Sequence, residues 1–371
     1  MKRLFRLFLL LLFIYALKPL WQESVEKYIP LTFLEPVDQK VEEIFTPEQV
    51  HRYELWLHSV KERTKRAIDA WKQPVEPSEP VTLNEPEYSS FAIHNIELGH
   101  TREHVESMLG EPRRKMANEY GSFWSVYDEN YHHFTLVSYD QDEQVRALYT
   151  NDDLISNDFE LQLGSLKSDV RRVLGKPVQE LQKGRTTYRL QENDGLDIYK
   201  LDDAYYFFFY DIHRNFRLNA LLIVDRTWEE GKEGLYGTPS QSIREGYEAT
   251  LFELTNAARV RNGVRPVQEF PELAQTARKH SADMAKRHYF SHDTPEGKSP
   301  FDRMKADNHR YVRAGENLAY GQFNSIFAHE GLLNSWDHRE NLLMPHYTHL
   351  GVGVAFDEEN TPYYTENFIQ K

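Results

Sequence analysis

In the last third of the chain the apolar positions change period. Tyr247, Leu251, Leu254 and Ala258 fall on one helical face, and Asn262-Gly263 supplies a stop. A second helix is predicted over residues 271–287, with Leu273, Ala274, Ala277, Ser281 and Met284 inward. Residues 350–356 and 363–368 instead alternate, which predicts two strands joined by a turn over 357–362. Helices flanking a small antiparallel sheet give an αβα sandwich over residues 244–371.

Upstream, the pattern repeats. Leu98-Gly99, Val105 and Leu109-Gly110-Glu111-Pro112 recur as Leu163-Gly164, Val170 and Leu174-Gly175-Lys176-Pro177, each offset by 65. In both copies a Gly-polar turn precedes a short helix whose Val and Leu lie four residues apart, and Leu-Gly-x-Pro ends it. Hairpins follow, at 134–139 with 145–149 and at 205–210 with 216–224. Tyr139-Asp140 matches Tyr210-Asp211 at an offset of 71, so about six residues are inserted in the second copy. Residues 91–230 therefore read as two helix-plus-antiparallel-sheet units forming one α+β domain.

The N-terminus has another character. Lys2, Arg3 and Arg6 precede eleven uninterrupted apolar residues, 7–17, the length of a signal h-region and short of a comfortable span. Tyr15-Ala16-Leu17 lacks small residues for cleavage, and Lys18-Pro19 ends the run, so an uncleaved membrane anchor over 1–21 is favoured over a removed signal peptide. Residues 22–90 follow as an amphipathic helical stalk and a linker rich in Pro74, Pro77, Pro80 and Pro86.

Composition narrows the function. Forty-four basic against 58 acidic residues leave a net charge of −14, which excludes nucleic acid as the expected partner. The absence of cysteine excludes thiol catalysis, disulfides, Fe–S clusters and Cys-ligated zinc. His132-His133 does not read as a metal site, because neighbours on a strand face opposite ways. His329-Glu330 opens a zincin-like pair, but Leu333 stands where the second histidine is needed. Ser291-His292 has no orienting acid at a useful spacing. Gly351-x-Gly353 lies on a strand and reads as close packing.

An ordered set of motifs carries a resemblance: Asn256-x-x-Arg259, Ala277-x-x-His280-Ser281-x-x-Met284, Phe290-Ser291-His292, Gly315-Glu316-Asn317-Leu318, Asn334-Ser335-x-x-His338-Arg339-x-Asn341 and Tyr347-Thr348-x-Leu350-Gly351-Val352-Gly353. Over residues 247–371 the chain resembles the CAP superfamily of cysteine-rich secretory, antigen 5 and pathogenesis-related proteins (the SCP domain), in its bacterial cysteine-free form. The duplicated region resembles the CAP-associated N-terminal domain of Bacillus-type proteins.

The resemblance implies a cleft with two histidines and two acids. His292 and Glu316 match it directly. The second histidine is His346 in His-Tyr-Thr, or His349 or His338. If Leu332 replaces the usual tryptophan, the second acid falls on Ser335, with Glu330 and Asp337 nearby. Such groups suit a divalent cation such as zinc, with His292, Glu316, His338, His346 and His349 as candidate ligands, or water activation by His292 and Glu316. The expected role is an extracytoplasmic, secreted or membrane-anchored module binding a cell-envelope component, protein or lipid. The alternative is a metal- or Glu-dependent hydrolase of a peptide or cell-wall bond.

Overall fold

The structure is a computed structural model that describes residues 78–371 apart from Glu192. The anchor, the helical stalk and the start of the linker lie outside the described residues. Among those described, no helix is long and apolar enough to cross a membrane.

The first repeat comprises β1 (Phe91–Ile93), α1 (Arg102–Leu109), β2 (Arg114–Ala117), β3 (Phe123–Glu129), β4 (His132–Tyr139) and β5 (Val145–Thr150). The second comprises β6 (Ile155–Asn157), α2 (Lys167–Leu174), β7 (Glu180–Lys183), β8 (Thr186–Arg189), β9 (Leu196–Leu201), β10 (Ala204–Asp211) and β11 (Arg217–Asp225). The two helices are 65 residues apart at both ends, as the repeat predicts. Gly110 and Gly175 stop them at φ of 77° and 80°, a backbone region that penalises any Cβ. Val105 and Val170 are fully buried at equivalent places.

Seven strands form one antiparallel sheet in the order β2-β3-β4-β5-β11-β10-β9, joined through the centre by β5 and β11. The repeats part after their helices: β2 pairs with β3 in this sheet, whereas β7 pairs with β8 in a separate two-stranded ribbon. The extra residues of the second copy fall between β7 and β9. Composition suggests a stiff, solvated linker up to Ser90, but the backbone N–H groups of Glu87, Tyr88 and Ser89 all donate to the buried Glu97 carboxylate. That stretch is therefore pinned to the domain.

The C-terminal half continues with α3 (Arg226–Gly231), α4 (Gln241–Arg261), β12 (Gln268–Glu269), α5 (Pro271–Arg287), α6 (Pro300–Ala306) and β13 (Arg313–Tyr320), then α7 (Ser325–Leu333), α8 (Trp336–Leu342), β14 (His349–Phe356) and β15 (Pro362–Gln370). Its sheet order is β12-β14-β15-β13. Helix α5 lies directly on β14: a Cβ at Gly351 or Gly353 would collide with the backbone of Ala274 or Arg278, so Gly-x-Gly serves close packing. With α4 on the opposite face, this is the expected αβα sandwich.

One face of the seven-stranded sheet packs on α1 and α2 through Val105, Val170, Val137, Leu148 and Phe208. The other, with Trp124, Phe134, Phe207 and Leu222, is covered by Leu254 and Ala257 of α4 and Ile326 and Phe327 of α7. Cover on both faces explains why β10 is an unbroken apolar run rather than an alternating one. Arg113 and Arg114 both reach Glu253, at 2.6 and 3.0 Å, and Arg339 pairs with Asp211 at 2.9 Å.

Candidate functional site

Glu316 projects from β13 towards α5 and α6 and is buried, its side chain 2% exposed. Its Oε1 lies 2.9 Å from His292 Nδ1, and its Oε2 accepts from Arg303 Nη2 at 2.6 Å. Arg303, on α6, also donates from Nη1 to the His292 carbonyl at 2.7 Å. Ser299 and Asp302 close a capping box at the start of that helix. One guanidinium thus holds both the loop that carries His292 and the strand that carries Glu316. The loop has a second tether, His280 Nε2 to the Ser291 carbonyl at 3.0 Å. His292 itself is half-exposed, so with Nδ1 engaged its Nε2 is the atom left for a ligand.

His338 enters from α8. Its Nδ1 lies 2.8 Å from the hydroxyl of Ser335, the position the resemblance assigns to the second acid. Burial, and then the neighbouring His292 ring, push its pKa below the ordinary histidine value, so a neutral imidazole is favoured. The structure therefore brings His292, Glu316 and His338 to one cleft. His346 lies in the loop before β14, its pKa lowered by burial and then by Arg313. His349 starts β14, with Nδ1 2.8 Å from the Thr348 hydroxyl and its ring against Phe270. Strand β15 separates it from β13 and Glu316.

Glu330 does not substitute for the missing acid, because α7 turns it away from the cleft. It accepts from Tyr149 Oη and Asn219 Nδ2 of the seven-stranded sheet, both at 2.8 Å. The adjacent His329 is wholly enclosed, and burial pushes its pKa down to about 3. Among the described residues no group of three or more His, Asp or Glu side chains is arranged to hold a metal ion. The guanidinium on Glu316 also places a positive charge beside any cation. The donor set thus does not make a three-ligand centre.

Beneath the cleft runs a polar network. Asn317 Nδ2 donates to the His338 carbonyl and to Glu366 Oε2, each at 3.1 Å, and Asn341 Nδ2 donates to Asn317 Oδ1 at 3.1 Å. Thr255 completes Glu366 from α4 at 2.8 Å, and burial raises the Glu366 pKa to about 7. Arg259, fully buried, donates to the carbonyls of Arg265, Leu342 and Met344 and so ties down the loop behind α8. Sequence reasoning missed Arg303 and Glu366, which no motif spacing singles out; Asn317 and Asn341 stood within quoted motifs.

The cysteine-rich secretory protein family profile matches residues 252–368, and the CAP-associated N-terminal profile matches 98–235. The chain carries a CAP domain behind a CAP-associated domain. The uncharacterized protein YkwD of Bacillus subtilis is 40% identical over 134 residues, 36% of this chain and 51% of that protein, so about half of that relative is matched. The uncharacterized membrane protein YlbC of the same organism is 28% identical over 320 residues, 79% of this chain and 90% of its own. An extracellular SCP-domain protein of Bacillus anthracis superposes with a TM-score of 0.64 at 25% identity, over 80% of this chain and 100% of that one. A cysteine-rich secretory protein of Staphylococcus aureus shares the fold, with a TM-score of 0.61 at 16% identity over 77% and 95%. The family and fold expected from the motifs are those that the comparisons return.

Proposed function

We propose that the protein is an extracytoplasmic binding module, held at the membrane by its N-terminus, whose CAP cleft presents His292 and His338 to a cell-envelope component. The observation that carries this reading is the engagement of both Glu316 oxygens, one by His292 and one by Arg303. A carboxylate clamped by a guanidinium orients the imidazole and is a poor general base for water. The cleft then recognises its partner through two imidazole edges supported from below. The extracellular and membrane descriptions of the relatives support the location. A divalent cation enters as an exchangeable guest on the two imidazoles, its remaining positions filled by water or the partner.

The test is cosedimentation of the whole protein with isolated cell-wall fragments, together with an assay for newly released amines or reducing ends. The expected outcome is binding weakened at least tenfold by His292→Ala/His338→Ala, with no release of product. Release that disappears in Glu316→Gln would replace this reading with the hydrolase.

A further inference from the structure

A second cleft, of about 1100 Å3 and with none of the candidate site residues in its lining, lies between the second repeat and the CAP domain. One wall is Tyr188 and Arg189 of β8 with Lys176 from the turn after α2; the other is Tyr236 with Gln322 and Phe323 of the turn into α7. Tyr236 Oη donates to the Gly321 carbonyl at 3.3 Å, which fixes that wall to the CAP domain. The floor is apolar, with Ile198 and Phe327 buried and Val178, Leu190 and Leu196 packed beside them. The first repeat has no equivalent wall, because β2 joins the main sheet while β7 and β8 stand apart from it.

The cleft is lined by the cations Lys167, Arg171, Lys176 and Arg189 against the acids Asp194 and Asp197. Of its cations, Arg171 is committed to Asp197 through two bonds of 2.7 and 2.8 Å, and Lys167 donates to the Asp194 carbonyl at 2.8 Å. Lys176 and Arg189 are exposed and form no ion pair among the described residues, although Glu180 lies directly across the ribbon from Arg189. Two uncommitted cations, aromatic faces and side-chain amides therefore meet in one interdomain cleft of a chain whose net charge is −14. Anionic groups are the complement of the cations, and C–H faces bearing hydroxyls are the complement of tyrosine rings and amides.

We propose that this cleft binds an anionic polyhydroxylated polymer, a chain of polyol or sugar units bearing phosphate or carboxylate. Lys176 and Arg189 take acidic groups along the chain, Tyr188 and Phe323 pack on the intervening carbons, and Gln179 and Gln322 bond its hydroxyls. An apolar peptide or acyl chain would make no use of either cation. One end of the cleft is formed by Asn193 and Asp194, and the next residue, Gly195, packs on the Asn334 amide, so that a Cβ there would sit 2.5 Å from Nδ2. Asn334 immediately precedes Ser335, which tethers His338. The segment that closes this end of the cleft thus packs on the residue before Ser335. This site is separate from the His292 cleft, and its test does not touch that reading.

The experiment is calorimetric titration of the whole protein at low salt with poly(glycerol phosphate) and, in parallel, with oligogalacturonate, with a neutral chitin oligosaccharide as control. The expected result is saturable binding of at least one anionic polymer and none of the neutral one. Binding should weaken at least tenfold in Lys176→Gln/Arg189→Gln and about threefold to tenfold in Tyr188→Ala, and weaken further in Lys176→Glu/Arg189→Glu, where the new carboxylate at position 189 would also oppose Glu180 across the ribbon. The charge-matched Lys115→Glu/Arg185→Glu, outside the cleft, should bind as the parent does. Preference between the two polymers assigns phosphate or carboxylate. No binding of either anion, or an equal loss in the charge-matched variant, overturns the proposal.

Discussion

The two faces of the CAP sheet carry the same kind of side chain to opposite ends. Glu316, towards α5 and α6, is buried beside a guanidinium and an imidazole. Glu366, one strand away and towards α4, is completely buried and meets only the neutral donors Thr255 and Asn317. Burial alone penalises a charged carboxylate, and a cation within hydrogen-bond reach offsets that penalty. Arg303 therefore makes one face a charged clamp for a histidine. The other face holds a carboxyl that prefers its proton, within a network that supports the His338 backbone. Burial by itself does not mark a functional acid; the partner brought by another element does.

The largest expected effect breaks the clamp. Arg303→Ala leaves Glu316 buried without its cation and should cost about 3–5 kcal/mol in chemical denaturation. A cost below about 1 kcal/mol would mean that the two faces do not differ in this way. Next, Glu330 extends the comparison to the interdomain face. Glu330→Ala strands the Tyr149 hydroxyl and the Asn219 amide and should cost about 2–3 kcal/mol, read by the same measurement.

Glu366 sharpens the contrast through pH. Its folded pKa, about 7, lies above the ordinary 4.5, so the fold binds the proton more tightly than the unfolded chain does. The stability this contributes is complete below the ordinary value and is lost as pH rises through about 7. Glu366→Gln mimics the protonated form, so it should match the parent at pH 5 and exceed it at pH 8 by about 1–3 kcal/mol. Melting curves at the two pH values check this, and an equal effect at both would sink it.

The smallest stability effect is expected at the cleft mouth. His292→Ala, at a half-exposed position, should change stability by less than about 1 kcal/mol. In zinc titration the parent should show weak one-site binding that His292→Ala/His338→Ala abolishes; tight binding that survives the double variant would place the ion elsewhere.

Much of the fold was legible. Helix α5 spans the predicted residues, and the repeat placed α1 and α2 because a helical period and a Leu-Gly stop are local signals. Helix α7 was not legible. Ile326 and Phe327 face the seven-stranded sheet while Ala328, Leu332 and Leu333 face the CAP core, so no single apolar stripe appears. His292 and Glu316 were readable from motifs, but the partners that give them their chemistry were not. Arg303 carries no spacing signal, and Glu330, adjacent to the tempting His329, points into the other domain.

Local chemistry in the sequence therefore determined which segments are helix or strand, that one unit occurs twice, and which motifs surround the cleft. Tertiary structure decided which histidines meet, which buried carboxylate has a cation, and what covers the second face of the large sheet. Those outcomes depend on register and on contacts between distant segments, such as Tyr149 with Glu330, 181 residues apart. No local pattern specifies a partner at that separation; only the packed chain brings it within hydrogen-bond reach.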